Sequence, residues 1–298
     1  MELLKDITLI RDKIEASINK YGYGVEHNFY NLKYLNGSSA LSAFFLYGHD
    51  QGVMCLQSQG IWELLPGILA REEEKFNILT HFIDYIFQNE GANEIYLILP
   101  KHIHAELIKL QRYTVNEIIE TFYLPIFDLK GWDPNLPGKG WKDMRNTWNK
   151  FHRHHSVSFV PVSQIPAEQL QAIVAAWMRK RSSPAHLWQP QFYQNVIDGS
   201  FEGIMNTYSL VVDGIPSTIC GGWMIPHSND YYSLLGLTNY QFDNVGEIAI
   251  LYEMNLLKQK GYDAVNFGQS DELLLNYKKK FKPCSIDTEC LFTVAKNK

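Results

Sequence analysis

The stretch that decides the fold runs from residue 231 to residue 268 and reads YYSLLGLTNYQFDNVGEIAILYEMNLLKQKGYDAVNFG. It begins with Tyr231–Leu237, an apolar run with the length and composition of a strand. After a polar corner, Val245–Lys260 carries apolar residues at helical spacing, and Gly261 ends the predicted helix. The strand Ala264–Phe267 follows. Strand, corner, helix and strand in this order predict an α/β unit.

The segments before this unit extend it to a module that fills the second half of the chain. Asp213-Gly214 lies between two apolar runs and predicts a hairpin. The predicted elements up to the hairpin are the helix Trp141–His154, the strand Val157–Val162, the helix Pro166–Arg181 and the strands Thr207–Val212 and Ser217–Met224. The strand Leu291–Val294 closes the chain.

The first half has its own alternation of helices and strands. Its predicted elements are the helix Leu4–Lys20, the strands Ala43–Tyr47 and Gly52–Gln57, the helix Glu73–Asn89, the strand Glu94–Leu99, the helix Pro100–Leu110 and the extended Thr121–Leu129. Residues 130–140 contain two prolines and three glycines, which is the composition of a loop. We therefore divide the chain into a first module, 1–129, a linker, 130–140, and a second module, 141–298.

The composition is that of a folded globular protein. Of 298 residues, 46% are hydrophobic and 20% are charged, which excludes a disordered chain. The net charge of −5 argues against a dedicated nucleic-acid-binding protein but leaves room for a local basic groove. The N-terminus lacks the pattern of a signal peptide, and no apolar run approaches the roughly 20 residues of a membrane span. We expect a cytoplasmic protein without an integral membrane segment.

The corner between the strand and the helix resembles the one that holds the acyl donor in acyltransferases of the GNAT superfamily. Amide groups at the helix N-terminus would accept a pyrophosphate there. The glycine of that superfamily's loop is present as Gly246, but no basic residue stands three positions before it, and Asp243 and Glu247 flank the helix start. The alternative interpretation is a capping box, with Asn244 as the N-cap and Glu247 as the third helical residue.

Further segments resemble a known family. Residues 138–151 (GKGWKDMRNTWNKF) are similar to the Gly-Lys-…-Lys-x-x-Arg-Asn-x-x-Asn-Lys-Phe element of the phosphatidylglycerol lysyltransferase C-terminal domain family. Residues 266–269 (NFGQ) and 277–283 (YKKKFKP) resemble that family's closing elements, and are also similar to the Phe-Lys-x-x-Phe pattern of the Fem peptidoglycan aminoacyltransferases. Both families are tandem GNAT-like folds that carry an aminoacyl group from aminoacyl-tRNA to an amine or a hydroxyl.

The resemblance implies the fold class α/β (α+β), with two tandem GNAT-like modules, each a mixed, mostly antiparallel sheet flanked by helices. It also implies that Lys278 lies near the transferred group. A tyrosine hydroxyl such as that of Tyr232 could protonate the leaving group, and Glu247 could act as a base for an incoming amine. The candidate donor-binding residues are Lys142, Arg145, Asn146, Tyr240, Asn244, Gly246, Asn266, Gly268 and Lys280.

Independently of the family, the same segments form two basic clusters. Lys139–Arg153 contains five Lys and Arg residues and one aspartate, a local net charge of +4, and Tyr277–Lys282 carries four lysines. If they meet in space, they form an electropositive groove for a phosphate-bearing donor. The alternative is two solvated basic faces. We expect no metal site, because His152 and His155 lack a nearby carboxylate or a fourth ligand.

The sequence therefore favours an acyl- or aminoacyltransferase of the GNAT superfamily. The donor would be acyl-CoA or aminoacyl-tRNA, no cofactor would be bound covalently, and the acceptor would be a small molecule or a lipid headgroup. Direct attack on the activated acyl carbon would rely on positioning and on stabilisation of the developing oxyanion. Two alternatives stay open: an acetyl-CoA-dependent N-acetyltransferase, and a GNAT-fold binding module without catalytic activity.

Overall fold

The computed structural model describes residues 1–180 and 189–297. Its strands are β1 (Glu2–Leu4), β2 (Ala40–Tyr47), β3 (Gln51–Ser58), β4 (Ile61–Leu69), β5 (Glu94–Leu99), β6 (Tyr113–Val115), β7 (Glu120–Asp128), β8 (Val157–Pro161), β9 (Met205–Val212), β10 (Ile215–Pro216), β11 (Thr218–Met224), β12 (Tyr231–Thr238), β13 (Ala264–Asn266) and β14 (Ser285–Lys296). Its α-helices are α1 (Arg11–Tyr21), α2 (Phe29–Leu35), α3 (Glu72–Asn89), α4 (Lys101–Lys109), α5 (Lys142–His154), α6 (Ala167–Lys180), α7 (Gln189–Asp198), α8 (Val245–Gln259) and α9 (Glu272–Lys278).

The strands form one mixed sheet in the order β1-β2-β3-β4-β5-β14-β7-β13-β12-β11-β9-β10, with β6 beside β14 and β8 beside β9. The parallel pairs are β4 with β5 and β12 with β13, and the others are antiparallel. One helix connects each parallel pair, α3 in the first half and α8 in the second, because parallel strands need a crossover. The predicted α/β class, with a mixed and mostly antiparallel sheet flanked by helices, is confirmed.

Strand β14 joins the two halves of the chain. Its later residues pair with β5, and its earlier residues pair with β7. Strand β7 in turn pairs with β13. Each half therefore receives a strand from the other, since β14 extends the sheet of β2–β5 and β7 extends the sheet of β9–β13. The division at 130–140 stays a prediction, and the hydrogen-bonded sheet runs past it without interruption.

The predicted helix Leu4–Lys20 is wrong in its first part. Residues Glu2–Leu4 form β1 and pair with β2, and the helix begins only at Arg11. The carboxylate of Asp6 accepts a hydrogen bond from the amide of Leu9 at 3.2 Å, which forms a turn between strand and helix. The apolar residues of this segment fit a helical period, but pairing with the edge of β2 decides the backbone of residues 2–4.

Most other predicted elements are confirmed within three residues at each end. Strand β14 is longer than predicted and starts at Ser285, while β4, α2, α7 and α9 were not predicted. The hairpin at Asp213-Gly214 is present, and both residues have the positive φ angles that its turn requires. Arg181, the predicted end of α6, lies outside the described residues. Within residues 1–180 and 189–297, no helix combines the length and the apolar character that crossing a bilayer demands.

The position of β14 gives a test of stability. Phe292 is 0% exposed in the core that β14 shares with α3, so Phe292→Ala should lower the free energy of unfolding by about 3–5 kcal/mol. Ile286 lies on the same strand and is 38% exposed, so Ile286→Ala should cost less than about 1 kcal/mol. Urea unfolding followed by circular dichroism measures both changes. Equal losses in the two variants would contradict this placement of β14.

Candidate functional site

The parallel strands β12 and β13 separate soon after they meet. They pair only at Tyr231↔Val265 and Tyr232↔Asn266, after which β12 continues to Thr238 and β13 ends. In the part of the chain that the structure describes, the backbone of β12 beyond Tyr232 therefore has no strand partner on that side. Such an opening leaves room for a ligand to lie against the strand.

A cavity of about 1000 Å³ opens beside this gap and extends between the two halves. Side chains from β4 and β5 line it on one side, and β12, the first part of α8 and the end of α9 line it on the other. Seven of the predicted site residues line it: Tyr232, Tyr240, Asn244, Gly246, Glu247, Gly268 and Lys278. The structure thus brings the corner before α8 together with the loop after β13.

The start of α8 does not form the predicted capping box. Asn244 has a φ of 63°, and its side chain makes no capping hydrogen bond. The carboxylate of Glu247 instead accepts a hydrogen bond from Nζ of Lys280 at 3.0 Å. A lysine from a distant segment therefore offsets the negative charge at this helix start. It supplies by tertiary contact the basic group that the sequence lacks just before Gly246.

The equivalent corner of the first half has the opposite charge. Helix α3 carries Glu72, Glu73 and Glu74 in its first turn. Three carboxylates at a helix N-terminus oppose the binding of an anionic group there. Of the two corners, the one before α8 is therefore the better place for a phosphate-bearing ligand.

Lys278 and Asn266 hold the loop after β13 in place. Lys278 is 6% exposed, and its Nζ donates to the carbonyl oxygens of Phe267 at 2.5 Å and of Gly268 at 3.2 Å. The side-chain oxygen of Asn266 accepts a hydrogen bond from the amide of Gly268 at 2.7 Å. A Cβ atom on Gly268, whose φ is 74°, would lie 3.3 Å from the hydroxyl oxygen of Tyr232. The loop therefore packs directly against this tyrosine.

The basic helix α5 lies outside the cavity lining. Arg145 donates to the carbonyl oxygens of Leu136 and, at 2.8 Å, of Gly138, so its guanidinium holds the preceding loop. Lys142 and Asn146 are exposed. The two basic clusters do meet, because Nζ of Lys282 lies 4.2 Å from the ring centroid of Trp141. This contact borders a separate cleft of about 270 Å³, not the large cavity.

Three carboxylates that sequence reasoning missed gather at the first-half end of the cavity. Glu26 and Glu63 line it, and Glu289 adjoins it through Gln269, whose amide donates to its carboxylate at 2.9 Å. We call Glu26, Glu63 and Glu289 the carboxylate cluster. Burial raises the pKa of Glu26 to about 7, and the charge of Glu289 adds to this effect. Burial is the one cause that raises the pKa of Glu63 to about 7. The pKa of Glu289 is raised by burial and, to a smaller extent, by the charge of Asp287.

A fourth carboxylate, Glu253, lines the cavity from α8. It is 4% exposed, and its Oε1 accepts a hydrogen bond from the hydroxyl of Ser233 at 2.7 Å. Burial raises its pKa to about 8. Two of these four carboxylates could have been found in the sequence, because a charged residue within an apolar run suggests a buried charge. Glu63 interrupts the apolar run of β4, and Glu253 lies among apolar residues of α8. Nothing in the local sequence marks Glu26 or Glu289.

The histidines near α5 make contacts with the protein. The ring nitrogens of His152 lie 2.8 Å from the carbonyl oxygen of Trp148 and 2.9 Å from the hydroxyl of Tyr252. Nδ1 of His155 lies 2.7 Å from the carboxylate of Asp213. Among the residues that the structure describes, no group of three or more His, Cys, Asp and Glu side chains is placed to hold a metal ion.

Several solved structures share this architecture. A conserved protein of unknown function from Bacteroides thetaiotaomicron has a TM-score of 0.69 at 16% identity, over 100% of both chains. The C-terminal domain (DUF2156) of an assigned lysylphosphatidylglycerol synthetase from Agrobacterium fabrum has a TM-score of 0.63 at 14% identity, covering 97% of this chain and 93% of that one. A tandem GNAT protein from the clavulanic acid biosynthesis pathway has a TM-score of 0.60 at 10% identity, covering 99% and 98%.

At these identities the likeness establishes the fold, so the predicted tandem GNAT-like fold is confirmed. The structures that the chain resembles include a domain of the kind that its sequence motifs suggested. Comparisons with protein-family models and with curated proteins gave no match.

The raised pKa of Glu253 predicts how stability depends on pH. The folded protein keeps the proton of this carboxyl up to about pH 8, whereas the unfolded chain loses it near 4.5. The free energy of unfolding of the wild type therefore falls as the pH rises between these values. Glu253→Gln cannot ionise and keeps an acceptor for Ser233. Relative to the wild type, it should gain roughly 4 kcal/mol between pH 4.5 and pH 8.

Urea unfolding at the two pH values measures this gain. The control is Glu120→Gln, because Glu120 is exposed at the cavity wall, and this variant should follow the wild type at both pH values. If Glu253→Gln also follows the wild type, Glu253 is not protonated in the folded protein.

Proposed function

We propose that this protein transfers an acyl or aminoacyl group from a carrier bound at the corner before α8 to an amine or hydroxyl acceptor in the same cavity. The observation that carries the proposal is the cavity itself, which connects the opened edge of β12 with the carboxylate cluster. A donor and an acceptor can therefore meet inside one cavity, and such proximity accelerates a reaction between them.

The donor would lie along the free side of β12. Gly236 lines the cavity there, and a Cβ atom at this position would meet nothing within 4 Å. The first backbone amides of α8, around Gly246, have no hydrogen-bond partner within the helix. They can therefore donate hydrogen bonds to an anionic carrier. The ion pair between Glu247 and Lys280 reduces the repulsion that Glu247 would otherwise exert on that carrier. Tyr240 and Asn244 complete this end of the cavity.

Two carriers fit this description, acyl-CoA and aminoacyl-tRNA. The opened strands and the helix start at Gly246 suit the pantetheine arm and pyrophosphate of CoA. The exposed side chains of α5, including Lys142 and Asn146, suit the phosphates of a tRNA outside the cavity. The likeness to an assigned lysylphosphatidylglycerol synthetase domain agrees with an aminoacyl donor. With either carrier, we place the reaction in the cytoplasm, where both occur.

In the reaction, the acceptor attacks the acyl carbon directly and the carbonyl oxygen becomes negative. The hydroxyl of Tyr232 faces this region and can donate a hydrogen bond to the oxyanion or a proton to the leaving group. Lys278 holds the carbonyl groups of the loop after β13 and adds positive charge near the same place. Glu247 is engaged with Lys280, so we assign it to the donor end rather than to proton transfer.

Blocking the free side of β12 tests the donor site. Gly236→Phe puts a ring where the donor would lie, at a position where an added Cβ atom meets no protein atom within 4 Å, so it should weaken donor binding at least tenfold while the fold is retained. The control is Met224→Phe, because Met224 is 43% exposed on β11 and does not line the cavity. Calorimetric titration with acetyl-CoA, and filter binding with a non-hydrolysable aminoacyl-tRNA, measure both candidate donors.

Each outcome assigns or removes a function. Binding of acetyl-CoA alone, lost in Gly236→Phe, identifies an acyl-CoA-dependent transferase. Binding of the aminoacyl-tRNA alone, lost in the same variant, identifies an aminoacyltransferase. If neither donor binds the wild-type protein, the proposed transfer is wrong and a non-catalytic binding module becomes the better description.

A further inference from the structure

The carboxylate cluster is assembled from three distant segments. Glu26 precedes α2, Glu63 lies on β4 and Glu289 lies on β14. The hydroxyl group of Tyr232, from β12, completes the arrangement, because the charges of Glu26 and Glu289 both act on it. Side chains from both halves of the fold therefore converge on one end of the cavity.

The cluster carries few hydrogen bonds. Glu26 accepts one from the amide of Asn31 at 3.0 Å, and Glu289 accepts one from Gln269. Among the described residues, Glu63 has no hydrogen-bond partner, and neither does the hydroxyl of Tyr232, although this tyrosine is only 8% exposed. No lysine or arginine within the described ranges forms an ion pair with any of the three carboxylates. The acceptors outnumber the donors that the protein supplies.

Such an arrangement is costly unless a ligand completes it. Half-buried carboxylates that lie together without a cation raise one another's pKa, which favours their protonated forms. The hydroxyl of Tyr232, a residue of the cavity lining, has no hydrogen-bond partner among the described residues and can take one from a ligand. A positively charged hydrogen-bond donor would satisfy both groups at once. The walls next to the cluster are apolar, with Leu65, Ile98 and Leu291 among the lining residues, which favours a donor carried on an alkyl chain.

We propose that the carboxylate cluster and Tyr232 bind the ammonium group of a primary alkylamine, and that this amine is the acceptor of the transfer proposed above. The inference rests on that proposed function and narrows its acceptor from an amine or hydroxyl to a primary amine. Glu63, for which residues 1–180 and 189–297 supply no hydrogen-bond partner, is the group that receives the first proton.

The proton balance is complete with this assignment. The ammonium gives one proton to the carboxylate of Glu63 and becomes a neutral amine. Its lone pair forms the C–N bond, and the bond between the acyl carbon and the sulfur or oxygen of the carrier breaks. A second proton passes from the nitrogen through the hydroxyl of Tyr232 to the leaving sulfur or oxygen. Glu63 then releases its proton to solvent.

Proton exchange on binding follows from the same groups. The charges of Glu289 and Glu63 act on Glu26, and that of Asp287 acts on Glu289. Glu26 and Glu289 in turn act on Tyr232, together with Tyr193. The neighbouring His27 is neutral near pH 7, because burial lowers its pKa to about 4, and Lys75 lies beyond it. An ammonium group favours ionised carboxylates, so its binding near pH 7 should release a proton, and its affinity should rise from pH 5.5 to pH 8.

Calorimetric titration with n-hexylamine, hexan-1-ol and hexyltrimethylammonium tests the proposal. We expect the primary amine to bind at least tenfold more tightly than the alcohol or the quaternary cation, with heats at pH 7 that depend on the ionisation enthalpy of the buffer. Glu63→Gln should weaken amine binding at least tenfold and reduce this buffer dependence, because Glu26 still exchanges protons near pH 7. The control Glu120→Gln, at an exposed carboxylate of the same cavity, should bind like the wild type.

A second variant covers the case in which Glu63→Gln does not fold. Tyr232→Phe keeps the ring and should weaken amine binding at least threefold. Equal binding of amine and alcohol, or unchanged amine binding in these variants, would overturn the inference. If a donor binds but the amine does not, the proposed transfer survives and the acceptor assignment falls. If the amine binds but no donor does, the proposed transfer is the part that fails.

Discussion

Pairing of β14 with β5 on one side and β7 on the other is the constraint on which the rest of the structure depends. Backbone hydrogen bonds across these strands fix the register between the halves, and the buried side chains of β14 fill the core beneath. Strands β4 and β5 of the first half and the gap beside β12 in the second half therefore face one shared cavity. This pairing is what lets Glu63 of the first half and Tyr232 of the second line the same cavity.

Charge is distributed unevenly over this frame. The interior cavity collects carboxylates, and the basic side chains of α5 lie outside its lining. The ion pair of Glu247 with Lys280 lies at the start of α8, at the donor end. The net charge of −5 therefore includes contributions from an acidic cavity and a basic surface on α5. A carrier with phosphates and a cationic acceptor would approach such a molecule by different routes.

Much of the fold could be predicted, because apolar spacing marks α8 and β12 and because Asp213-Gly214 demands a particular turn. The corner at Gly246 followed from the order of these elements. Contacts between distant segments could not be predicted. Lys280 reaches Glu247 and Arg145 turns back to its own loop, and neither contact leaves a mark on local sequence. The carboxylate cluster could not be predicted for the same reason, because its three residues come from segments that are distant in the sequence.

The exchange of strands also has a consequence for how the chain is made. On the ribosome, β5 emerges long before β14, so the first half waits with an unpaired edge while the whole second half is translated. The unpaired N–H and C=O groups of an exposed edge strand can form hydrogen bonds with another chain and so promote aggregation. Rapid completion of synthesis, or a chaperone bound to this edge, would limit such association of nascent chains. A polypeptide that ended before residue 285 would lack β14, and the edge of β5 would stay unpaired.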